Sequence, residues 1–315
     1  MSFRYLTCVS IFKHENTIFH ILFVVCQSLK MHVDQPIFWI QKLDHEGQSD
    51  NLHDAWIDLV QRIEKGSFLE QQLVKCLMIW YRKKNNLTQE SLDGITMHHI
   101  SAFCGVKSIL ELIVSSNINQ NPSKGNGVTP IYTASYQGHI EIVKFLASKV
   151  DNPNEARNDG ITPIYVASQE GHMDIVKFLV SKVDHPNEPR NDGVTPIFIA
   201  SLKGHIDIVK FLASKVNDPN EPKNNGATPI FIASQEGHIE IVKFLSSKVD
   251  NPNEARNDGV TPIHIASYEG HIEIVKILAS KVDNPNQPEN TGITPIQIAS
   301  LKGHIDIVNF LSSLV

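Results

Sequence analysis

The sequence predicts an all-α solenoid: helix–turn–helix units stacked side by side, joined by turns and covered at the N-terminal side by a helical cap. Three observations predict it. One phrase recurs: TPIYTASYQGHIEIVKFL from Thr129, TPIYVASQEGHMDIVKFL from Thr162, TPIFIASLKGHIDIVKFL from Thr195, TPIFIASQEGHIEIVKFL from Thr228, TPIHIASYEGHIEIVKIL from Thr261 and TPIQIASLKGHIDIVNFL from Thr294. Every step is 33 residues, and one step before Thr129 lands on Thr96, in ITMHHISAFCGVKSILELI, a degenerate copy that keeps Thr96, Gly105 and the late apolar spacing. Within each copy the apolar residues follow a helical period twice, on either side of a Gly-His.

Residues 1–50 are poorly patterned. The apolar run TIFHILFVVC at 17–26 is shorter than the ~20 residues a membrane helix needs. With Arg4 and Lys13 upstream it has the outline of a signal peptide, against which stand His14-Glu15-Asn16 and the lack of a small-residue cleavage site. A buried helix or strand, or an overlong N-terminus with Met31 as the start, are the other readings. Residues 51–92 form the capping region. Leu52, Ala55, Trp56, Leu59, Val60 and Ile63 make one amphipathic stripe. Ser67 to Glu70 reads as a capping box ahead of Leu69, Leu73, Cys76, Leu77 and Trp80. The array then fills 93–315, with units starting near 93, 126, 159, 192, 225, 258 and 291.

One unit shows how the local chemistry works. Asn158-Asp159-Gly160 is turn chemistry, Gly supplying the positive φ. Thr162 is a helix N-cap and Pro163 suits N1, where no N–H is needed. The first helix turns Ile164, Val166 and Ala167 inward and ends at Gly171. A second helix, His172 to Ser181, carries Met173, Val176 and Leu179 on one stripe with Ile175 and Phe178 flanking it. Asp174 and Lys177 lie i, i+3 on the wet side. No unit buries its stripe alone, so neighbours must stack, and the small Ala167 and Ser168 allow close approach.

Period 33 with G-x-T-P-I-x-x-A-S-x-x-G-H-I-x-I-V-x-x-L resembles the ankyrin repeat over 93–315. The resemblance implies a right-handed stack of helix pairs with β-turn fingers and a concave face that binds other proteins. Two departures matter. The usual His after Thr-Pro-Leu is replaced by Tyr132, Tyr165, Phe198, Phe231 and Gln297, and only His264 keeps it. The usual Gly-Ala after the second helix is replaced by Val150-Asp151 and its equivalents, so a left-handed cap is not expected there and the helix should end near Lys149 or Val150.

Net charge −6 leaves no bulk basic surface for nucleic acid. Four cysteines, none in the six regular units and none in C-x-x-C spacing, fit a reducing compartment, and a cytoplasmic protein, with the nucleus as the other setting. No P-loop, G-x-S-x-G or H-E-x-x-H occurs, so no catalytic residue, metal, cofactor or small-molecule substrate is expected. The histidines after Gly (His139, His172, His205, His238, His271, His304) sit one helix spacing apart, too far to share an ion. Each is read as an inter-unit hydrogen bond.

Candidate binding residues are those that vary against the Ile/Val/Ala background. The pairs at the end of the first helix are Tyr136-Gln137, Gln169-Glu170, Leu202-Lys203, Gln235-Glu236, Tyr268-Glu269 and Leu301-Lys302. The third helical position reads Tyr132, Tyr165, Phe198, Phe231 and His264, either binding anchors or packing between units. The turn-proximal finger position reads Arg157, Arg190, Lys223, Arg256 and Glu289, its basic members either binding cations or solvated charges. Together they predict a non-catalytic scaffold for a protein partner. An adaptor that recruits substrates to an enzyme complex is the rival, and a membrane-tethered protein if 17–26 is an anchor. Ile298, Ile305, Val308 and Leu311 repeat the core pattern where a polar terminal unit is expected, which predicts a fraying end, a continuing array or self-association.

Overall fold

The computed structural model describes residues 97–104, 107, 110, 122–123 and 125–314. The apolar run at 17–26 and the helices expected within 51–92 lie outside the described residues. Two compact units divide between Gly125 and Asn126. In the first, α1 (Met97–Cys104) sits two periods before the Pro163 helix, in register with it, and buries His98, His99, Ser101, Ala102 and Phe103.

The second unit holds six helix pairs: α2 (Pro130–Gln137) with α3 (Ile140–Ala147), α4 (Pro163–Glu170) with α5 (Met173–Val180), α6 (Pro196–Lys203) with α7 (Ile206–Ala213), α8 (Pro229–Gln235) with α9 (Ile239–Leu245), α10 (Pro262–Glu269) with α11 (Ile272–Ala279), and α12 (Pro295–Lys302) with α13 (Ile305–Ser312). Within this unit each first helix packs on its own second helix and on the neighbouring first helices, and the second helices stack likewise. Fully buried Ala200 and Ser201 on α6, and their equivalents on α2, α4, α8 and α10, permit that close approach.

From α4 onward, the start of each first helix satisfies its backbone donors. In α6, Pro196 at N1 has no N–H to satisfy. The Ile197 N–H donates to the Asn187 side chain at 3.0 Å and the Phe198 N–H to Thr195 Oγ1 at 3.1 Å. The Ile199 N–H reaches the Thr195 carbonyl at 3.0 Å. The Thr cap follows from sequence; the Asn cap, ten residues back, does not. Asn154, Asn187, Asn220, Asn253 and Asn286 all perform it, and the loop they anchor is held inward by this bond.

The second helices bury Ile208, Val209 and Leu212 in α7, and Ile175, Val176 and Leu179 in α5. Ile175 therefore belongs to the core stripe, while Met173, at the edge of the stack, is half-buried. Each such side chain contributes about 1.5–3 kcal/mol when fully buried. These helices end earlier than Lys149 or Val150, at Ala147 in α3, and as expected without a left-handed cap: Ser148 stays right-handed at φ −74° and its hydroxyl donates to the Phe145 carbonyl at 2.7 Å. Ser181 and Ser214 repeat this bond.

The fingers are β-turns. In the Arg190 finger, the Arg190 N–H donates to the Val194 carbonyl at 2.9 Å and the Gly193 N–H to the Arg190 carbonyl at 2.8 Å. Gly193 takes φ +84°, the left-handed geometry the turn requires. The Asn191 N–H donates to the Asp159 carbonyl at 3.2 Å, and its side chain donates to the Asn158 carbonyl at 3.2 Å. Asn224, Asn257 and Asn290 continue this asparagine ladder from finger to finger. Among the described residues no helix is long and apolar enough to cross a membrane.

Candidate partner-binding face

The third helical position is interior. Tyr165, Phe198, Phe231 and His264 are 3, 4, 2 and 1% exposed. Tyr165, Phe198 and Phe231 join one buried cluster with Val194, Ile199 and Ala227. Of the two readings the sequence left open, packing between units is the one their burial fits: a partner has no access to these rings. Tyr132 alone in this series of aromatics is half-buried.

The finger cations serve the same junctions. Arg157 lies 5.3 Å from the Tyr132 ring centre and donates to its hydroxyl at 3.1 Å. Lys223 lies 5.6 Å from the Phe198 ring and Arg256 5.2 Å from Phe231. Each cation thus covers the aromatic ring of the preceding unit. Arg157, Arg190 and Arg256 are also paired within their own turns, with Asp159 at 3.1 Å, Asp192 and Asp258. Partial burial pushes the Asp192 carboxyl up, but the Arg190 hydrogen bond, the Val194 amide and the Arg190 charge together hold it below its ordinary value. Burial raises the Tyr132 and Tyr165 phenols.

A sequence signal for this pairing exists and was missed. The cation always follows the aromatic by 25 residues, and where the aromatic becomes His264 the cation becomes Glu289. His264 accepts from the Thr261 N–H at Nδ1 (3.3 Å), and its Nε2–H donates to the Ile293 carbonyl at 3.1 Å. Its ring is thus neutral and fixed in one tautomer. Burial holds its pKa below the ordinary value; the Ile293 carbonyl and the charges of Glu289 and Asp258 oppose that shift.

Five of the six Gly-His histidines form the inter-unit bonds expected of them. His172, His205, His238, His271 and His304 donate from Nε2 to the carbonyls of Tyr136, Gln169, Leu202, Gln235 and Tyr268, all at 3.0–3.1 Å. Gly204 shows why Gly precedes: it takes φ +79°, and a Cβ there would lie 2.7 Å from His238 Cε1. Among the described residues no three His, Cys, Asp or Glu side chains cluster to hold a metal.

The first-helix ends are outward. Tyr136 is 45% exposed and Tyr268 39%, with Gln169, Leu202 and Gln235 half-buried between them. Leu202 also touches the buried aromatic cluster, so it is less exposed than the sequence suggested. Beside this row run Glu170, Lys203, Glu236 and Glu269, all exposed. The Gln169 and Gln235 amides donate to Glu170 and Glu236 at 2.7 and 3.0 Å, and Lys302 sits 3.9 Å from the Tyr268 ring centre. Of the candidate residues, these present accessible surface, whereas the aromatic and finger residues build junctions.

Comparison with known proteins agrees with this architecture. The family described as "Ankyrin repeats (3 copies)" matches residues 66–155, 149–223, 165–254 and 230–314. No curated protein sequence matches the chain significantly. Among solved structures, the crystal structure of the human ASB11 ankyrin repeat domain superposes with a TM-score of 0.57 at 21% sequence identity, covering 68% of this chain and 98% of that one. At that identity the likeness is one of fold. With the period, the paired helices, the linked fingers and a family match over most of its length, the chain belongs to the ankyrin repeat family.

Proposed function

We propose that the chain is a non-catalytic scaffold that binds a protein partner along its first-helix ends, through Tyr136, Gln169, Glu170, Leu202, Lys203, Gln235, Glu236 and Tyr268. Ankyrin repeats are generally protein–protein interaction modules. The observation that carries the reading is the exposure of Tyr136 and Tyr268, whereas Tyr165, Phe198 and Phe231 on the same first helices are buried at the unit junctions. Exposed aromatics ringed by charge supply contact area and selectivity by sign. The test is affinity purification with mass spectrometry, run with the wild type beside Tyr136→Ala/Lys203→Glu. Both residues are exposed, so melting stays unchanged while the specific partner is lost. Equal recovery of the same proteins by both forms removes this face.

A second contact is supported by the Thr294 unit. It exposes Leu301 at 82% and Ile305 at 61%, with Ile293 and Leu314 nearby in sequence. Its finger side is polar, since Gln297 stands exposed where other units bury an aromatic. This half-apolar face favours self-association. Light scattering reads it: mass rises with concentration in the wild type and not in Leu301→Glu/Ile305→Glu, and a wild type whose mass stays constant overturns it.

A further inference from the structure

The row of first-helix ends carries a register. Over the first five units it offers Tyr136, Gln169, Leu202, Gln235 and Tyr268, where apolar and amide side chains alternate, and Leu301 follows in the sixth. The adjoining row reads Gln137, Glu170, Lys203, Glu236, Glu269 and Lys302, giving acid, base, acid, acid from Glu170 to Glu269 and a final base drawn onto the Tyr268 ring. The neighbouring finger cations are engaged elsewhere: the Arg157, Arg190 and Arg256 guanidiniums are paired with aspartates in their own turns and Lys223 lies over the Phe198 ring, while Lys302 is stacked on Tyr268.

Successive packed helices lie about 8–10 Å apart. An extended chain advances about 3.3 Å per residue. A segment lying across the units therefore meets a new unit about every third residue. A helix, rising 1.5 Å per residue, would need about six residues per unit and would turn most of its side chains away from the row.

The geometry points to an extended, mostly basic segment of a protein partner as the occupant of this row. This inference rests on the binding face proposed above. The segment has the form B-x-x-A-x-x-B-x-x-B, with B a Lys or Arg opposite Glu170, Glu236 and Glu269 and A an Asp or Glu opposite Lys203, or the same pattern read in reverse. Apolar residues of the segment fall about six apart, against Tyr136, Leu202 and Tyr268. The Gln169 and Gln235 amides stand between them, where a peptide backbone presents carbonyls and N–H groups. The lone Lys203 breaks the run of acids, so a uniformly basic segment meets repulsion at one place, and the row reads spacing as well as net charge.

The experiment uses the full chain and a displayed library of random 16-residue peptides, selected in parallel on the wild type and on Lys203→Glu. Lys203 is exposed, so the variant folds as the wild type does, checked by its melting curve. The expected result is enrichment on the wild type of the three-residue pattern in one chain direction. On Lys203→Glu the acidic position changes to Lys or Arg. A synthetic peptide of the selected pattern should bind the wild type at least tenfold tighter than its permuted form in fluorescence anisotropy, with the gap narrowing at high salt. Enriched peptides without three-residue spacing, no enrichment, or a pattern unchanged by Lys203→Glu each overturn the inference. If the partner recovered by purification is nevertheless lost on Tyr136→Ala/Lys203→Glu, the face stands and only the extended register falls. If that partner is unaffected, the face itself falls, and the register with it.

Discussion

Replacing Asn220 by Ala removes one acceptor from a buried helix start. Asn220 is buried, and its Oδ1 accepts from the Ile230 N–H at 3.0 Å, one position into α8. Pro229 has no N–H, and Thr228 Oγ1 is already committed to Phe231 at 3.1 Å. The Ile230 N–H then loses its acceptor, and leaving it buried and unpaired costs about 1–3 kcal/mol. For a folded unit of this size, each kcal/mol moves the melting temperature by about 2–4 °C, so a fall of about 2–12 °C is expected. Asn220→Asp keeps the acceptor and should lose less. Asn224→Ala is the control: it removes an exposed ladder bond to Asn191, at 3.3 Å, and should change stability by about 0.5 kcal/mol or less. Circular dichroism follows the melt, and amide exchange at Ile230 reports the local opening. If Asn220→Ala melts within 1 °C of the wild type (a shift below about 0.5 kcal/mol), or if Asn224→Ala loses as much, the polar loop does not cap the helix and the reasoning fails.

Gly204→Ala meets two penalties, a left-handed residue at φ +79° and a clash with the His238 ring, whereas Gly303→Ala at φ +80° meets open space. The first should cost more than the second, which should lose about 1–2 kcal/mol; equal losses in urea titration would remove the steric role of the His. The Ser201 hydroxyl is buried without a partner, while Ser234 donates to the Ile230 carbonyl at 2.7 Å. Ser201→Ala should be neutral or stabilising and Ser234→Ala should cost about 0.5–1.5 kcal/mol; the reverse order of denaturation midpoints would contradict this. Burial depresses the pKa of His264 in the fold. Its contribution is present above the unfolded value of about 6.5 and is lost as pH falls from there through the folded value, because the unfolded chain takes up the proton first. His264→Gln should flatten that part of the stability–pH curve, since Gln297 already caps Thr294 by accepting its N–H at 2.9 Å; an unchanged slope between pH 7 and 5 would assign the effect elsewhere.

The helices were legible because their signals are local. Thr-Pro starts, glycine ends and a two-sided apolar stripe each act within four residues, and the 33-residue repetition shows them six times. The Asn cap was not legible, because its donor lies ten residues away, across a loop that composition marks only as polar. The candidate face was half legible. Variation between copies marks positions that the helix pair itself does not constrain, but two unlike demands produce it. Phe198 and His264 vary because each must fit the finger of the next unit, Lys223 or Glu289. Tyr136 and Lys203 vary on open surface. Telling these apart takes the burial, which depends on the neighbouring unit and not on the residue's own helix.

The pairing of each ring with the following finger makes the chain editable only in certain frames. A cut from Thr228 to Thr261 removes Phe231 together with its Arg256, and the remaining joints keep their matched partners. A cut of the same length from His238 to His271 removes Arg256 and His264 and brings Phe231 under Glu289. The ring then loses its cation, and the carboxylate loses the imidazole it was set beside. Duplication and loss of units are thereby confined to Thr-to-Thr boundaries at this joint, while among the Tyr165, Phe198 and Phe231 joints either frame leaves an aromatic facing a cation. The length of such an array can drift freely in its middle and is fixed in frame toward the Thr294 unit.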